Sequence, residues 1–298
     1  MDNERYSYND NEISLSELFK SFKKNILFIA FVTASITFCS VIYSLFLPNL
    51  FTSHSILNYS GGTQSSSSQN NSSITRLTGI KLGVGQGDKA DEIIELIKSR
   101  GFLEHLITFD GILASITYPK VRGDGSVYTS KRIYDAEKNI WSNSNQPSTL
   151  DAYDIYIKDL LSIWRDKDNG FINITITHIS PIFAFELLSL VIKESNHIMR
   201  MRDLEEASDS LVFLGDEIQK TSILEMRNSI SSLLQSQLEK KMVANIRKDY
   251  VLRTIEPPFI PEKKSAPSRL IFVLISSFVA LTVTLLIVFF RDFVFNQK

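Results

Sequence analysis

The chain has very little cysteine and no concentration of charge of either sign. Cys39 is its only cysteine and lies within a long apolar run, which excludes an intramolecular disulfide. The formal net charge of the 298 residues is −1, and neither basic nor acidic residues cluster. Because nucleic-acid binders neutralise phosphates with a basic face, we expect no nucleic acid among the partners.

The sequence also lacks the patterns of common catalytic and cofactor sites. The glycines of residues 79–87 do not have the spacing of a phosphate-binding loop, and no G-x-S-x-G motif occurs. Four histidines are far apart and have no H-E-x-x-H or C-x-x-C companion: His54, His105, His178 and His197. We therefore expect no catalytic residue, cofactor or metal ion, and we expect His178 at an exposed position of a strand.

Two long runs without charge lie near the two ends of the chain, at residues 25–47 and 270–290. At ~1.5 Å rise per residue, helices of this length match the ~30 Å hydrocarbon core of a bilayer. A buried core helix normally has a polar stripe, and a cleaved signal peptide has a shorter apolar stretch with a cleavage site. The two runs therefore predict two transmembrane helices.

The basic residues beside the first run predict the orientation. Lys20, Lys23 and Lys24 precede it, whereas Arg76 is the first basic residue after it. Because basic residues favour the cytoplasmic side, we expect both termini in the cytoplasm. The expected segments are a cytoplasmic segment 1–24, a span 25–47, an external segment 48–268, a span 270–290 and a cytoplasmic tail 291–298.

The external segment is expected to have an α/β fold. Strand-forming residues alternate in residues 50–60, which predicts a strand. A serine-rich linker at 60–73 follows it and is expected to be mobile. Asp88 is expected to cap a helix that ends at Gly101, and a second short helix follows.

Later in the segment, residues 151–170 predict a helix that ends in an Asp-Asn-Gly turn. The next residues, from Phe171, predict a central strand. Residues 110–149 show no assignable pattern.

The longest regular element is expected at about residues 182–249. Its apolar residues recur every three or four positions, which predicts a coiled-coil-like seam at Met201, Leu204, Leu211, Leu214 and Ile218. An unbroken helix would have to pack on other copies of the chain, whereas a break near Gly215 or within residues 221–232 would give a helical hairpin. Both alternatives remain open, and we expect oligomerisation through this region.

Small residues four apart in the apolar runs predict close approach of transmembrane helices. They are Ala30, Ala34, Ser40 and Ser44 in the first run and Ser276 and Ala280 in the second. Chance placement toward lipid is the alternative.

Four segments together resemble a known family: ISLSELFKSFKKN, LTGIKLGVGQGDKADEIIELIKSRGFLEHLI, DNGFINITITHISPIFAFELL and RTIEPPFIPEKKSAPSR. The chain is similar to bacterial polysaccharide co-polymerases, specifically to kinase-less members of the chain-length determinant family for lipopolysaccharide O-antigen and related polymers. A proline-rich segment directly before a terminal span is typical of the family, and here it contains Pro257, Pro258, Pro261 and Pro267.

The resemblance implies a non-enzymatic protein of the bacterial inner membrane. Its α/β base would lie next to the membrane in the periplasm, and its protomers would assemble into a ring. It would regulate the modal length of a polymer made by a separate membrane-embedded polymerase, with the growing glycan and the lipid bilayer as further partners. The proline-rich segment is then either a stiff spacer or a docking strip for that polymerase. A capsule or exopolysaccharide export co-polymerase is the alternative, and a two-span membrane sensor is a less favoured one.

Overall fold

The computed structural model describes residues 23–60, 86–142 and 146–295. These residues form two compact units, one up to Asn49 and again from Ser265, and the other from Leu50 to Lys264. Most of the segment ISLSELFKSFKKN, nearly all of the serine-rich linker and most of residues 79–87 lie outside the described residues.

The first unit consists of two apolar helices, α1 (Ile26–Phe46) and α8 (Arg269–Phe295). Both are long and apolar enough to cross a membrane, as the two uncharged runs predict. Threonines inside them keep their hydroxyls satisfied without water: Thr33 Oγ1 donates to the Ile29 carbonyl at 2.8 Å, and Thr284 Oγ1 donates to the Ala280 carbonyl at 2.7 Å. Such bonds suit helices in an apolar environment.

The second unit is built on a four-stranded antiparallel sheet. Its strands are β1 (Phe51–Tyr59), β6 (Leu161–Arg165), β7 (Ile172–His178) and β8 (Leu252–Glu256), in the order β6-β7-β1-β8. Alternate residues of β7 are fully buried, because Ile172, Ile174 and Ile176 all face the core. The α/β fold class expected from the sequence is confirmed.

Short elements fill the sequence between β1 and β6. The helices are α2 (Gln86–Lys98), α3 (Arg100–Leu106), α4 (Ile112–Thr117) and α5 (Thr149–Ile155), and α5 continues as a π-helical turn, Tyr156–Leu160. The unassigned region 110–149 contains α4 and two small ribbons, β2 (Lys120–Val121) with β3 (Val127–Tyr128) and β4 (Tyr134–Asp135) with β5 (Ile140–Trp141). Strands of two residues carry too little periodicity to be recognised in a sequence.

Two expectations about these elements are wrong. Asp88 lies inside α2 rather than at its amino-terminal cap, since the helix is already formed at Gln86. Residues 161–165 form strand β6 rather than the end of a helix, because Leu161 and Ile163 pair with Ile176 and Ile174 of β7 and bury their side chains. Tertiary pairing outweighs the helical propensity of the preceding residues here.

The long helical region forms a hairpin. Helix α6 (Pro181–Lys220) has 40 residues, or about 60 Å at the usual rise, and α7 (Leu224–Ile246) returns antiparallel to it. Ser180 caps α6 by accepting from the Phe183 N–H at 3.1 Å, and Pro181 occupies the first turn, where a missing N–H costs nothing. The break at 221–223 has extended backbone, whereas Gly215 remains helical. Of the two alternatives, the hairpin is therefore the one adopted.

Candidate assembly and membrane surfaces

The root of the hairpin is held by a cluster of charged and phenolic groups. Lys240 Nζ lies 2.8 Å from Asp203 Oδ1 and 2.7 Å from Glu206 Oε2, so α7 is tied to α6. The Tyr250 hydroxyl donates to Asp203 Oδ2 at 2.7 Å. Burial alone would lower the pKa of Lys240, but its bonds to the two carboxylates raise that pKa above the ordinary value. The cluster keeps Lys240 charged and the two helices in register.

Asn196 connects α6 to the strand that follows the hairpin. Its Oδ1 accepts from the N–H groups of Val251 at 2.9 Å and Leu252 at 2.8 Å, and its Nδ2 donates to the Leu252 carbonyl at 3.0 Å. The side chain is buried, at 7 % exposure. A single amide therefore satisfies three backbone groups where the chain enters β8.

The predicted seam residues are divided between the inside and the outside of the hairpin. Met201 is 52 % exposed. The other four are partly buried within one protomer: Leu204, Leu211, Leu214 and Ile218. Ala207 on α6 and Ala244 on α7 are fully buried, which lets the two helices approach closely. The seam therefore packs partly within the protomer, and its role between protomers stays a prediction.

A second row of apolar side chains points away from the hairpin. Leu238, Met242 and Ile246 follow each other at intervals of four on α7 and are 50 %, 59 % and 74 % exposed. We call these three residues the outer stripe. A solvent-facing helix surface normally carries polar residues, so an apolar row at helical spacing is typical of a contact surface. Apolar residues recur every fourth position from Ile230 to Ile246, and the row turns from the buried Ile230 to the exposed outer stripe.

A cavity of about 480 Å³ lies beside α6 near the root of the hairpin. Its lining combines bases and acids: Lys193, Glu194, His197, Arg200, Lys248 and Asp249. The buried Glu194 carboxylate is already paired, since His105 Nε2 lies 2.8 Å from Glu194 Oε2. Arg200 Nη2 donates to the carbonyls of Arg247 and Lys248. Glu194 and Arg200 therefore already have partners within the protein.

Two of the four histidines have side-chain hydrogen-bond partners on other elements. No group of three or more histidine, cysteine, aspartate or glutamate side chains with metal-binding geometry occurs in residues 23–60, 86–142 and 146–295. His54 pairs with Asn173 at 3.4 Å, and His105 with Glu194. Each of these two imidazole rings therefore has a hydrogen-bond partner within the protein.

The expected exposure of His178 is wrong. It shares the parity of Ile174 and Ile176 in β7, so it faces the core and is 4 % exposed. Its Nε2 donates to the Ser115 carbonyl at 3.1 Å, and its Nδ1 accepts from the Ser180 N–H at 3.0 Å. Both nitrogens are satisfied only in the neutral ring, and burial lowers the pKa of His178 to about 4.

We expect this histidine to make the protein less stable in mild acid. The pKa is about 4 in the folded protein and 6.5 for an unperturbed histidine, so the unfolded chain binds the proton more tightly. The contribution of the neutral ring to the free energy of unfolding is then almost complete above pH 6.5 and falls as the pH drops toward 4. Between pH 7 and pH 5 the loss should be about 2 kcal/mol. Urea unfolding of the detergent-solubilised chain at both pH values measures the change. The difference should disappear in His178→Gln and persist in the exposed control His197→Gln, and an equal difference in all three proteins would contradict the assignment.

The two apolar helices contact each other through small and hydroxyl-bearing residues. The Ser40 and Ser276 hydroxyls are hydrogen-bonded at 2.6 Å. Ser44 and Ala280 are buried, at 2 % and 4 % exposure. On α8 the buried row continues beyond the predicted pair with Thr284 and Val288, also at intervals of four. Ala30 and Ala34 are exposed, so their predicted contact would have to involve another helix.

The proline-rich segment runs without helix or strand after β8. Pro257 is exposed, Pro258 is half-buried and Pro261 is buried. The Phe259 carbonyl accepts from Ser53 Oγ at 2.8 Å, which fixes the segment to strand β1. Pro267 follows a cis peptide bond. The segment is therefore attached to β1 at Phe259. Its function as spacer or docking strip stays a prediction.

Part of this chain is similar to a known protein family. Residues 11–108 match the family model described as "Wzz: Chain length determinant protein". The resemblance to chain-length determinants is confirmed. Two of the four segments on which it was based, the lead-in before the first apolar run and the block at 77–107, lie within the match, whereas the strand unit and the proline-rich segment lie outside it. A search of curated proteins finds no match.

Two solved structures that are similar to this chain are polysaccharide co-polymerases. One is described as a full-length bacterial polysaccharide co-polymerase; it is 12 % identical, has a TM-score of 0.42, and the alignment covers 96 % of this chain and 99 % of the other. Another is a fragment of WzzB, a polysaccharide co-polymerase from Salmonella Typhimurium, with 11 % identity, a TM-score of 0.34 and coverage of 73 % and 99 %. The family resemblance itself depends on residues 11–108.

Proposed function

We propose that this chain is a non-enzymatic co-polymerase of the bacterial inner membrane that regulates the length of O-antigen or a related surface polysaccharide. The observation that carries the proposal is the match of residues 11–108 to chain length determinant proteins. The architecture is consistent with it, because a large folded unit, Leu50–Lys264, is flanked on both sides by a helix long enough to span a membrane. Both termini are then cytoplasmic, as the lysines before the first helix favour.

The proposed mechanism is geometric rather than chemical. Several protomers assemble through the outer stripe of α7 and the exposed part of the predicted seam, around or beside a separate membrane-embedded polymerase. The assembly holds the polymerase or the growing glycan, so that its dimensions bias the probability that elongation stops. In this mechanism the charged root of the hairpin fixes the direction of α6 and α7, and bond-making belongs to the polymerase.

Gene deletion followed by gel separation of the surface polysaccharide tests the proposal. Without the protein, polymer should still reach the surface, but its length distribution should lose the modal band. Complementation with the wild-type gene should restore the band. Loss of all surface polymer would instead support the export co-polymerase alternative, and an unchanged profile would contradict both.

A further inference from the structure

The cavity beside the root of the hairpin lies between two segments of the chain. Its volume of about 480 Å³ is within the usual range of small-molecule sites. One wall is a single face of α6, along which lining residues from Ser189 to Arg200 recur at helical spacing. The other wall is Lys248 with Asp249, in the connection between α7 and β8. A molecule in the cavity would therefore contact both segments.

The wall formed by Lys248 and Asp249 is fixed on both sides along the chain. Before Asp249, Arg200 Nη2 donates to the Lys248 carbonyl. After it, Asn196 Oδ1 accepts from the Val251 N–H at 2.9 Å. A site whose walls are already held in place loses less entropy when a ligand binds. The cavity is therefore preorganised.

Three side chains of the lining are exposed and have polar atoms available for a ligand. They are His197, Lys248 and Asp249. In residues 23–60, 86–142 and 146–295, none of the three makes a side-chain hydrogen bond or ion pair. They include both a donor, the Lys248 ammonium, and an acceptor, the Asp249 carboxylate. The cavity can thus bond to a ligand in both directions.

Glu194 adds an acceptor in the lining that is almost completely buried. The residue is 5 % exposed. Its Oε2 lies 2.8 Å from His105 Nε2, whereas its Oε1 lies 4.0 Å from Lys193 Nζ, which is too long for a hydrogen bond. A buried acceptor that lacks a hydrogen bond is costly. A hydroxyl group of a bound molecule would give this oxygen a partner.

We propose that this cavity binds one sugar unit of a saccharide chain, whose hydroxyls donate to Glu194 and Asp249 and accept from Lys248. Acids and bases occur side by side in the lining, which suits hydroxyls, because each hydroxyl both donates and accepts. A simple anion would instead meet the two carboxylates as like charges, which is unfavourable. The inference rests on the proposed function and specifies that the assembly holds the glycan.

The lining favours a saccharide over a protein segment as the occupant. Protein contacts are usually centred on an aromatic or aliphatic side chain that fills an apolar pocket. Ile192 is the only aliphatic residue among the lining residues that the structure describes. It is also 92 % buried, since its exposure is 8 %. The cavity therefore offers polar contacts and little apolar surface.

Saturation-transfer NMR of the full chain in detergent tests the site. The probe is a set of short oligosaccharides cut from the cell's own surface polysaccharide and freed of lipid. Wild type should bind them, and Lys248→Ala with Asp249→Ala should weaken binding about tenfold, because two hydrogen-bonding groups are lost. The wall should keep its position in this variant, since Arg200 binds the carbonyl of residue 248 rather than its side chain.

Lys131→Ala with Glu137→Ala is the matched control. These residues form an exposed ion pair outside the cavity, so the control also removes one base and one acid. It should bind the oligosaccharides as wild type does. Both variants should unfold at the wild-type temperature, because exposed charges contribute little to stability. Absence of binding by wild type, or equal binding by wild type and the cavity variant, would overturn the proposal.

Photo-cross-linking in cells identifies the occupant with the proposed contacts intact. The cross-linker p-benzoylphenylalanine replaces Lys193, whose side chain is 76 % exposed. Ultraviolet light should attach glycan to the chain, which a polysaccharide stain detects as a smear on gels. A discrete adduct with another protein, or no glycan adduct, would overturn the proposal. If gene deletion removes the modal band while no glycan binds here, this inference fails and the proposed function does not.

Discussion

Replacing Leu238 and Met242 together by glutamate is expected to prevent the proposed assembly and to leave monomers. These side chains are half or more exposed in the protomer, and Leu238→Glu with Met242→Glu places two carboxylates at the centre of the outer stripe. Burying an unpaired carboxylate in a protein contact costs several kcal/mol per ion, which is more than most interfaces tolerate. The protomer itself should fold normally, because neither position belongs to the core.

The matched control is Ser232→Glu with Ser236→Glu. These serines lie on the same helix, are exposed and are also four residues apart, so the control adds the same charge away from the outer stripe. Light scattering in detergent and cross-linking in membranes measure the oligomeric state. We expect monomers only for the outer-stripe variant. If it assembles as wild type does, the outer stripe is not an interface between protomers.

Asn196→Ala is expected to cause a large loss of stability. It removes one amide that satisfies three backbone groups of Val251 and Leu252. Each buried group left unpaired costs about 1–3 kcal/mol, so the free energy of unfolding should fall by about 4 kcal/mol. Strand β8 would also lose its fixed entry into the sheet.

Asn245→Ala provides the control for this change. The Asn245 amide is exposed and donates to the Lys241 carbonyl at 3.0 Å, so its loss should change stability by at most about 0.5 kcal/mol. Urea unfolding of the full chain, followed by circular dichroism, compares the two. Similar small losses for both variants would show that other contacts hold β8 in place.

Long patterns in the sequence predict the elements they belong to. The two uncharged runs correspond to α1 and α8, the alternation from Phe51 corresponds to β1, and the long helical pattern from Pro181 corresponds to α6 and α7. The break between α6 and α7 was less predictable. Thr221 and Ile223 are extended without a proline or glycine between them, so no local signal distinguishes this turn from the rest of the serine-rich stretch.

The sequence did not predict features that depend on partners far along the chain. Strand β6 is a strand because β7 lies beside it, and His178 is buried because Ser115 and Ser180 satisfy its ring. The partners of Asn196 are more than 50 residues away, so nothing in the local sequence marks it. Two of the small residues singled out by their spacing, Ser40 and Ser276, are hydrogen-bonded to each other. Their role in packing the apolar helices within a membrane stays a prediction.

The proposed length control is tested most directly in cells that carry the outer-stripe variant in place of wild type at equal abundance. Gel separation of their surface polysaccharide should show polymer in normal amount but without the modal band, whereas the serine control should keep the band. A modal band that persists while Leu238→Glu with Met242→Glu is monomeric in the same membranes would contradict length control by an assembly of this protein.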